Sequence, residues 1–213
     1  MGITQDNTDS IKIIIWLTVL SLAPSILIMM TGFTRIVIVL TFVRNAIGLQ
    51  QTPPNQVIVG LALFLTFFFM APVVDEIKTN AYDPYTAGQL TQQEAIDEAI
   101  KPLHTFMAKQ TYDRDLDLFM SMAGIQSVPT AADIPLHVLI PAFVTSELKR
   151  AFQIGFFIFI PFLVIDMIVA STLMSMGMMM LPPTVISLPF KILLFVLVDG
   201  WDLVIKTLFN SFA

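Results

Sequence analysis

Four long apolar runs, parted by short polar breaks, set the plan of this chain. The first covers Ile13 to Met30 and resumes after Thr31-Gly32 as far as Val43, with Arg35 inside it; the second covers Val57 to Val74. The third starts near Ala151 and reaches Leu181, broken only by Pro161 and Asp166, and the fourth runs from Val185 to Ile205 with Lys191, Asp199 and Asp202 embedded. Each is about as long as the roughly 20 residues that cross a bilayer core. Gln51-Thr52-Pro53-Pro54-Asn55 separates the first pair and Pro182-Pro183 the second. Proline disfavours helix in the residue before it, so Pro53, Pro54, Pro182 and Pro183 predict tight turns between antiparallel helices. The pattern gives an all-α fold of the integral-membrane type. An N-terminal region with a first hairpin fills residues 1–74, a polar helical insert 75–140, and a C-terminal hairpin 141–213.

The insert reads as helical and water-facing. Thr91-Gln92-Gln93-Glu94 is a capping box, opening a segment whose Ile96, Ile100, Leu103, Phe106 and Met107 share one face at helical spacing. Pro102 is expected to kink or interrupt it. A shorter amphipathic piece follows, with Asp113 as its cap, Leu116, Phe119, Met120 and Ala123 on its face, and Gly124 at its end.

Composition strengthens the membrane reading. The chain of 213 residues is 56% hydrophobic and 13% charged, against roughly 45–50% and about 25% in soluble domains. The net charge of −5 is concentrated: residues 75–133 hold ten acidic side chains against Lys78, Lys101, Lys109 and Arg114. There is no basic run to suit a nucleic acid. Cysteine is absent, which removes thiol nucleophiles, thiolate metal sites and disulfides. Asp113, Asp115 and Asp117 imitate the start of a calcium loop, but Leu118 stands where it needs Gly and Gly124 where it needs Glu. The two histidines, His104 and His137, have no carboxylate at ligand spacing. No phosphate-binding glycine loop or serine elbow is present, so neither an enzyme nor a cofactor is expected. Asp6 and Asp9 precede the first run with no basic residue before Lys12, unlike a secretory signal.

The informative residues are those that are costly in lipid. Arg35, Asp166, Lys191, Asp199 and Asp202 lie inside apolar runs, and Glu147, Lys149 and Arg150 at the mouth of the third; such charges face a bundle interior, a cavity or a partner, or else cap and snorkel. A hairpin symmetric about Pro182-Pro183 sets Lys191 opposite Met174 and Asp166 opposite Asp199. That leaves Lys191 without an anion. It predicts a Lys191–Glu147 pair reaching another helix or another copy, hence a homo-oligomer in which Arg35, Glu147, Asp166 and Lys191 lie between subunits. The second feature is the run Met174, Ser175, Met176, Gly177, Met178, Met179, Met180. Methionine is unbranched and polarizable, and apolar constrictions close pores, so a ring of such loops would make a soft gasket with Gly177 as its flexible point. Composition alone favours a packed hairpin tip instead.

The residues also carry a resemblance. Arg44-Asn45-Ala46-Ile47-Gly48, Pro53-Pro54-Asn55-Gln56-Val57 and Gly60 to Thr66 resemble the first hairpin of the FliP family of flagellar export-gate proteins. Pro141-Ala142-Phe143, Ser146-Glu147-Leu148-Lys149, Ala151 to Phe156, Ile160-Pro161-Phe162, Ile165-Asp166, Met174 to Met180, Ser187 to Lys191 and Asp199-Gly200-Trp201 resemble its C-terminal half more closely. This implies a non-enzymatic subunit of a several-copy assembly with FliQ and FliR, working with FlhB and FlhA in the bacterial inner membrane at the flagellar basal body. The assembly passes unfolded flagellar subunits, and the family's methionine gasket falls on Met174 to Met180 here. Virulence-type secretion proteins are the family's counterparts. The resemblance also implies that the hairpins need not cross the bilayer as hydropathy suggests.

With the acidic insert on the extracytoplasmic side, Arg35 and Arg44 lie inside, as the positive-inside tendency prefers, while Lys149 and Arg150 go against it. An ion channel or secondary transporter subunit is the alternative, and it should carry inverted repeats and a selective mid-membrane site, neither of which is visible.

Overall fold

The computed structural model describes residues 17–18, 21–22, 24–25, 28–126, 128–178 and 180–212. The start of the first apolar run, the segment around Asp6 and Asp9, and Met179 lie outside the described residues. Among the described residues every regular element is helical. The order is α1 (Phe33–Ile47), α2 (Asn55–Ile77), a π turn (Lys78–Tyr82), the one-turn α3 (Asp83–Thr86), α4 (Gln92–Gln110), α5 (Asp113–Met122), a 3-10 turn (Ala131–Asp133), α6 (Leu136–Ser175), α7 (Pro183–Leu197) and α8 (Gly200–Asn210).

The first hairpin follows the sequence pattern. Gly48 ends α1 in the left-handed conformation (φ 93°), which glycine adopts without steric cost. Pro54 precedes the first turn of α2. Arg44 spans the turn, donating to the Pro53 carbonyl at 3.2 Å and to Asn55 Oδ1 at 2.6 Å. In the insert the Thr91–Glu94 capping box forms as expected, and α4 continues through Pro102 without interruption. The cap of α5 differs: Tyr112 is the capping position, and Asp113 stands one residue inside, where its charge favours the positive end of the helix dipole. Ala123, expected on the inner face of α5, is exposed.

The C-terminal half departs further from the apolar pattern. The third run is the end of a 40-residue helix that begins at Leu136, inside the stretch read as insert, and keeps both Pro141 and Pro161. At about 1.5 Å per residue, α6 is roughly 60 Å long, about twice the hydrocarbon thickness. The fourth run is two helices, because Asp199 takes the left-handed conformation (φ 54°) between α7 and α8. Gly200 follows, and a Cβ there would lie 2.3 Å from the Phe195 ring.

α6 serves as the spine. Its first turns supply Val138, Leu139 and Phe143 to a core shared with Met107, Met120 and Ile134 of the insert. Its middle packs on α1, where Ala151 meets the core of Ile36, Val39, Leu40 and Val43. The crossing is close at Gly155, where a Cβ would lie 2.6 Å from the Phe42 ring. The last third pairs with α7. Two helical stretches, Asn55–Thr86 and Leu136–Ser175, are long and apolar enough to cross a membrane.

Candidate functional site

Arg35, near the start of α1, is a charged residue with no solvent exposure. Its guanidinium offers five N–H donors, and each has an acceptor. Nε donates to Glu147 Oε2 at 2.9 Å and Nη2 to Glu147 Oε1, making a bidentate pair. Nη2 also reaches Gln110 Oε1 at 3.0 Å, while Nη1 reaches the Ser211 carbonyl at 2.6 Å and the Ser211 hydroxyl at 2.9 Å. The ring of Phe212 lies 3.9 Å from the guanidinium carbon. Four parts of the chain thus meet on one side chain: α1, α4 through Gln110, α6 through Glu147, and the segment after α8. Gln110 completes the junction by donating to the Phe212 carbonyl at 3.0 Å and accepting from Arg150.

A second polar link lies beside it, through Ser146, the residue before Glu147. Asp115 of α5, also buried, accepts from Ser146 Oγ at 2.8 Å and from Lys149. Ser146 in turn accepts from the Tyr112 backbone N–H at 3.0 Å, so one hydroxyl ties the start of α5 to α6. Burial pushes the Asp115 carboxyl up, but the Lys149 and Ser146 hydrogen bonds outweigh it and hold it below the ordinary aspartate value. Lys149 and Arg150, which violate the charge bias of the flanking segments, therefore have in-chain partners, and Arg150 lies over the Tyr112 ring.

The C-terminal hairpin corrects the expected charge pairing. Lys191 donates to Asp166 Oδ2 at 2.6 Å, and Ser187 donates to the other carboxylate oxygen at 2.6 Å. Lys191 does not reach Glu147, which Arg35 occupies, and Asp199 does not face Asp166. The hairpin is not centred on Pro182-Pro183. Helix α6 stops at Ser175 because Gly177 turns left-handed (φ 75°), with the Gly177 N–H bonded to the Met174 carbonyl and the Met178 N–H to that of Leu173. Pro182-Pro183 is the start of α7 rather than the apex, so the hairpin is centred on the methionine run. Gly177 accordingly acts as a helix terminator, not as a loose point within a helix. With Arg35, Glu147, Asp166 and Lys191 paired inside one chain, the reason for placing them between copies lapses.

The methionines themselves stand clear of the chain. Met174 is 65% exposed, Met176 66% and Met180 99%, and Met178 is also exposed. Among the described residues the tip is therefore not packed as composition favours. Other apolar side chains are as open, notably Phe64, Phe67 and Phe68 on α2 and Phe152, Phe156 and Phe157 on α6. Large apolar side chains left open in such number suit contact with lipid or protein. Among the described residues no group of His, Asp and Glu is arranged to hold a metal ion.

Several residues of these networks escaped sequence reading: Gln110, Asp115, Ser146, Ser187, Ser211 and Phe212. Gln110 had a signal, since it continues the Leu103, Phe106, Met107 stripe of α4 at helical spacing and so puts an amide where an apolar residue belongs. Ser187 precedes Lys191 by one helical turn, which aims both at a single partner. Ser211 and Phe212 carried no comparable mark.

The chain is similar to known proteins over most of its length. The profile of the FliP family matches residues 16–208. The chain is 58% identical over 208 residues to the flagellar biosynthetic protein FliP of Bacillus subtilis, covering 98% of this chain and 94% of that one. It is 52% identical to FliP of Aquifex aeolicus over 206 residues (96% and 86%) and 56% identical to FliP of Caulobacter vibrioides over 196 residues (92% and 74%). Matches of this extent and identity show that the chain belongs to the FliP family.

Proposed function

We propose that this chain is a core subunit of the flagellar protein export gate, assembling in several copies with FliQ and FliR in the inner membrane at the flagellar basal body. FlhB and FlhA complete the apparatus, and unfolded flagellar proteins are the cargo. Family membership supplies the setting. The observation that carries the reading is the methionine loop: it lies at the end of a helical hairpin, and its described methionine side chains are exposed, Met180 almost completely.

A loop of this kind suits a gasket. The Asp166–Ser187–Lys191 cluster clamps α6 to α7, so the loop has a firm base, while its thioether side chains can repack around whatever passes. In a ring of copies they would close an apolar constriction to ions, and the chain would contribute no chemistry of its own. The apolar faces of α2 and α6 would then be buried by neighbouring subunits as well as lipid.

Expression with the neighbouring flagellar genes provides the test. The chain should copurify as a multimer with two smaller hydrophobic proteins, and deleting its gene should abolish flagellin export. Replacing Met176, Met178 and Met180 together with Ala should raise ion leakage through the assembled complex without dispersing it. A monomeric chain whose deletion leaves export intact would overturn the assignment; an intact complex with unchanged leakage would return the loop to a packing role. Ion-selective conduction by the chain alone would favour a channel subunit instead.

A further inference from the structure

The five methionines between Met174 and Met180 are the densest group of thioethers in the chain, and apolarity is not their only chemistry. Met180 is almost fully open, and Met174, Met176 and Met178 are exposed beside it. Met30, Met70, Met107 and Met120 are buried. Met29, Met122 and Met167 are exposed as well, but they stand singly. An oxidant that reaches a methionine sulfur converts a flexible apolar side chain into a polar, chiral sulfoxide. Burial therefore divides the described methionines into a protected set and an open one, and the open set is concentrated in the loop.

The surroundings make that change consequential. No residue between Asp166 and Lys191 is charged, so a sulfoxide would be the strongest side-chain dipole at the tip. Its oxygen needs a hydrogen-bond donor, and the local donors are spent. The Met176 N–H is bonded to the Thr172 carbonyl at 3.1 Å, the Gly177 N–H to that of Met174 and the Met178 N–H to that of Leu173, both at 3.0 Å. Thr172 Oγ1 donates to the Ile168 carbonyl and Ser175 Oγ to the Thr172 carbonyl, each at 2.8 Å. With these groups taken, a sulfoxide oxygen draws water, and an apolar constriction closes a pore only while it stays dry.

We propose that the methionine loop is a reversible oxidation site, reacting with hydrogen peroxide to form sulfoxides that wet and open the seal. A sulfur lone pair attacks one peroxide oxygen; the S–O bond forms as the O–O bond breaks, and sulfur gives up two electrons. The second oxygen leaves as hydroxide and takes the proton of the transferred oxygen, so the by-product is water. The two stereospecific methionine sulfoxide reductases restore the thioether. The effect on sealing rests on the gasket proposed above, whereas the order in which the methionines react rests only on their exposure.

The full chain in neutral detergent is treated with hydrogen peroxide, and mass spectrometry of its peptides follows each methionine. Met174, Met176, Met178 and Met180 should gain oxygen before Met107 and Met120 do, and the two reductases should remove it. The complex coexpressed with its flagellar partners should lose its ion seal in liposomes after the same treatment, and should regain it when the reductases act before reconstitution. With all five loop methionines changed to Leu, which is apolar but inert to peroxide, leakage should not respond to the oxidant whatever its starting level. Met122→Leu, in the insert, should respond as the parent does. Oxidation of the loop no sooner than Met107 overturns the proposal, as does a peroxide response that survives the Leu substitutions or a loop that the reductases cannot restore. Loop oxidation without a rise in leakage also overturns it. In that event, leakage by the Ala variant of Met176, Met178 and Met180 would leave the gasket standing without its switch, and a tight Ala variant would remove both.

Discussion

The two halves of α6 solve opposite problems. Near its start, Glu147 is wholly buried and every donor of its partner Arg35 is used within the chain. At its end the helix runs into a loop whose Met180 is 99% exposed. Both regions are rich in residues that are costly in the wrong solvent: charges in an apolar surround at one end, bare thioethers at the other. The first cost is met by the fold itself, so this junction is a condition of having a folded subunit. The second is met by nothing in the chain, and an apolar loop left open on a rigid hairpin implies a surround that other molecules complete.

The sharpest way to test that division is to remove one partner from the junction. Glu147→Ala leaves Arg35 buried beside Gln110 and Ser211 without a countercharge, and breaking a buried pair from one side costs on the order of 3–5 kcal/mol. The chain should lose its folded state or its insert should become protease-sensitive. Replacing both partners, Arg35→Met with Glu147→Leu, removes the charges together and should recover more than half of that loss. Recovery measured by thermal unfolding in detergent would mark the pair as a locking element. No recovery would mean that Gln110, Ser211 and the Phe212 ring depend on the guanidinium itself.

A smaller effect is expected at the α1–α6 crossing. A methyl group at Gly155 would enter the Phe42 ring at 2.6 Å, and overpacking of this kind costs about 1–3 kcal/mol. Gly155→Ala should lower the unfolding temperature, and Phe42→Leu added to it should restore part of the loss. Without that restoration the strain lies elsewhere than in this contact.

Much of this fold could be read from the chain before its structure. The Pro53-Pro54 turn, the capping box at Thr91 and the stop at Gly124 are local devices whose residues are adjacent in sequence, and each forms where its pattern lies. What could not be read depends on distance or on one backbone angle. Arg35 and Glu147 are 112 residues apart, and no periodicity links them. The Lys191–Asp166 pairing is hidden because Pro182-Pro183 is the stronger turn signal in the sequence; the left-handed Gly177 ends α6 earlier and moves the residue opposite Lys191 from Met174 to Asp166, about two helical turns. Pro141 and Pro161 misled in the opposite sense. A helix packed along its length can lose a hydrogen bond at proline and continue.

The Asp115 link between insert and spine should prove weaker than the Arg35 junction, since Lys149 is half exposed and its attraction is correspondingly screened. Its pH dependence has a definite sign. The folded carboxyl titrates below its ordinary value, so its contribution is fully present above the unfolded value and is lost as pH falls through the lower, folded one. Limited proteolysis of α4 and α5 should therefore accelerate in acid at the bottom of the carboxylate range, and in Asp115→Asn that particular step should vanish. An acid transition that survives the substitution would belong to another carboxylate.

The smallest effect on stability should come from the methionine loop, and there the contrast between the two ends of α6 is most exposed to failure. Replacing Met176, Met178 and Met180 with Ala removes side chains that contact little of the chain, so the unfolding free energy of the isolated subunit should change by no more than about 0.5 kcal/mol, as for surface substitutions. A core methionine changed to Ala would cost about 2–5 kcal/mol, and Met107→Ala, at a position with no exposure, supplies that reference in the same chain. If the triple variant is as stable as its parent while the assembled complex leaks ions, the loop's side chains act only outside their own subunit. A loss comparable to that of Met107→Ala would instead show that the loop packs against its own hairpin, and both the open loop and the gasket would go with it.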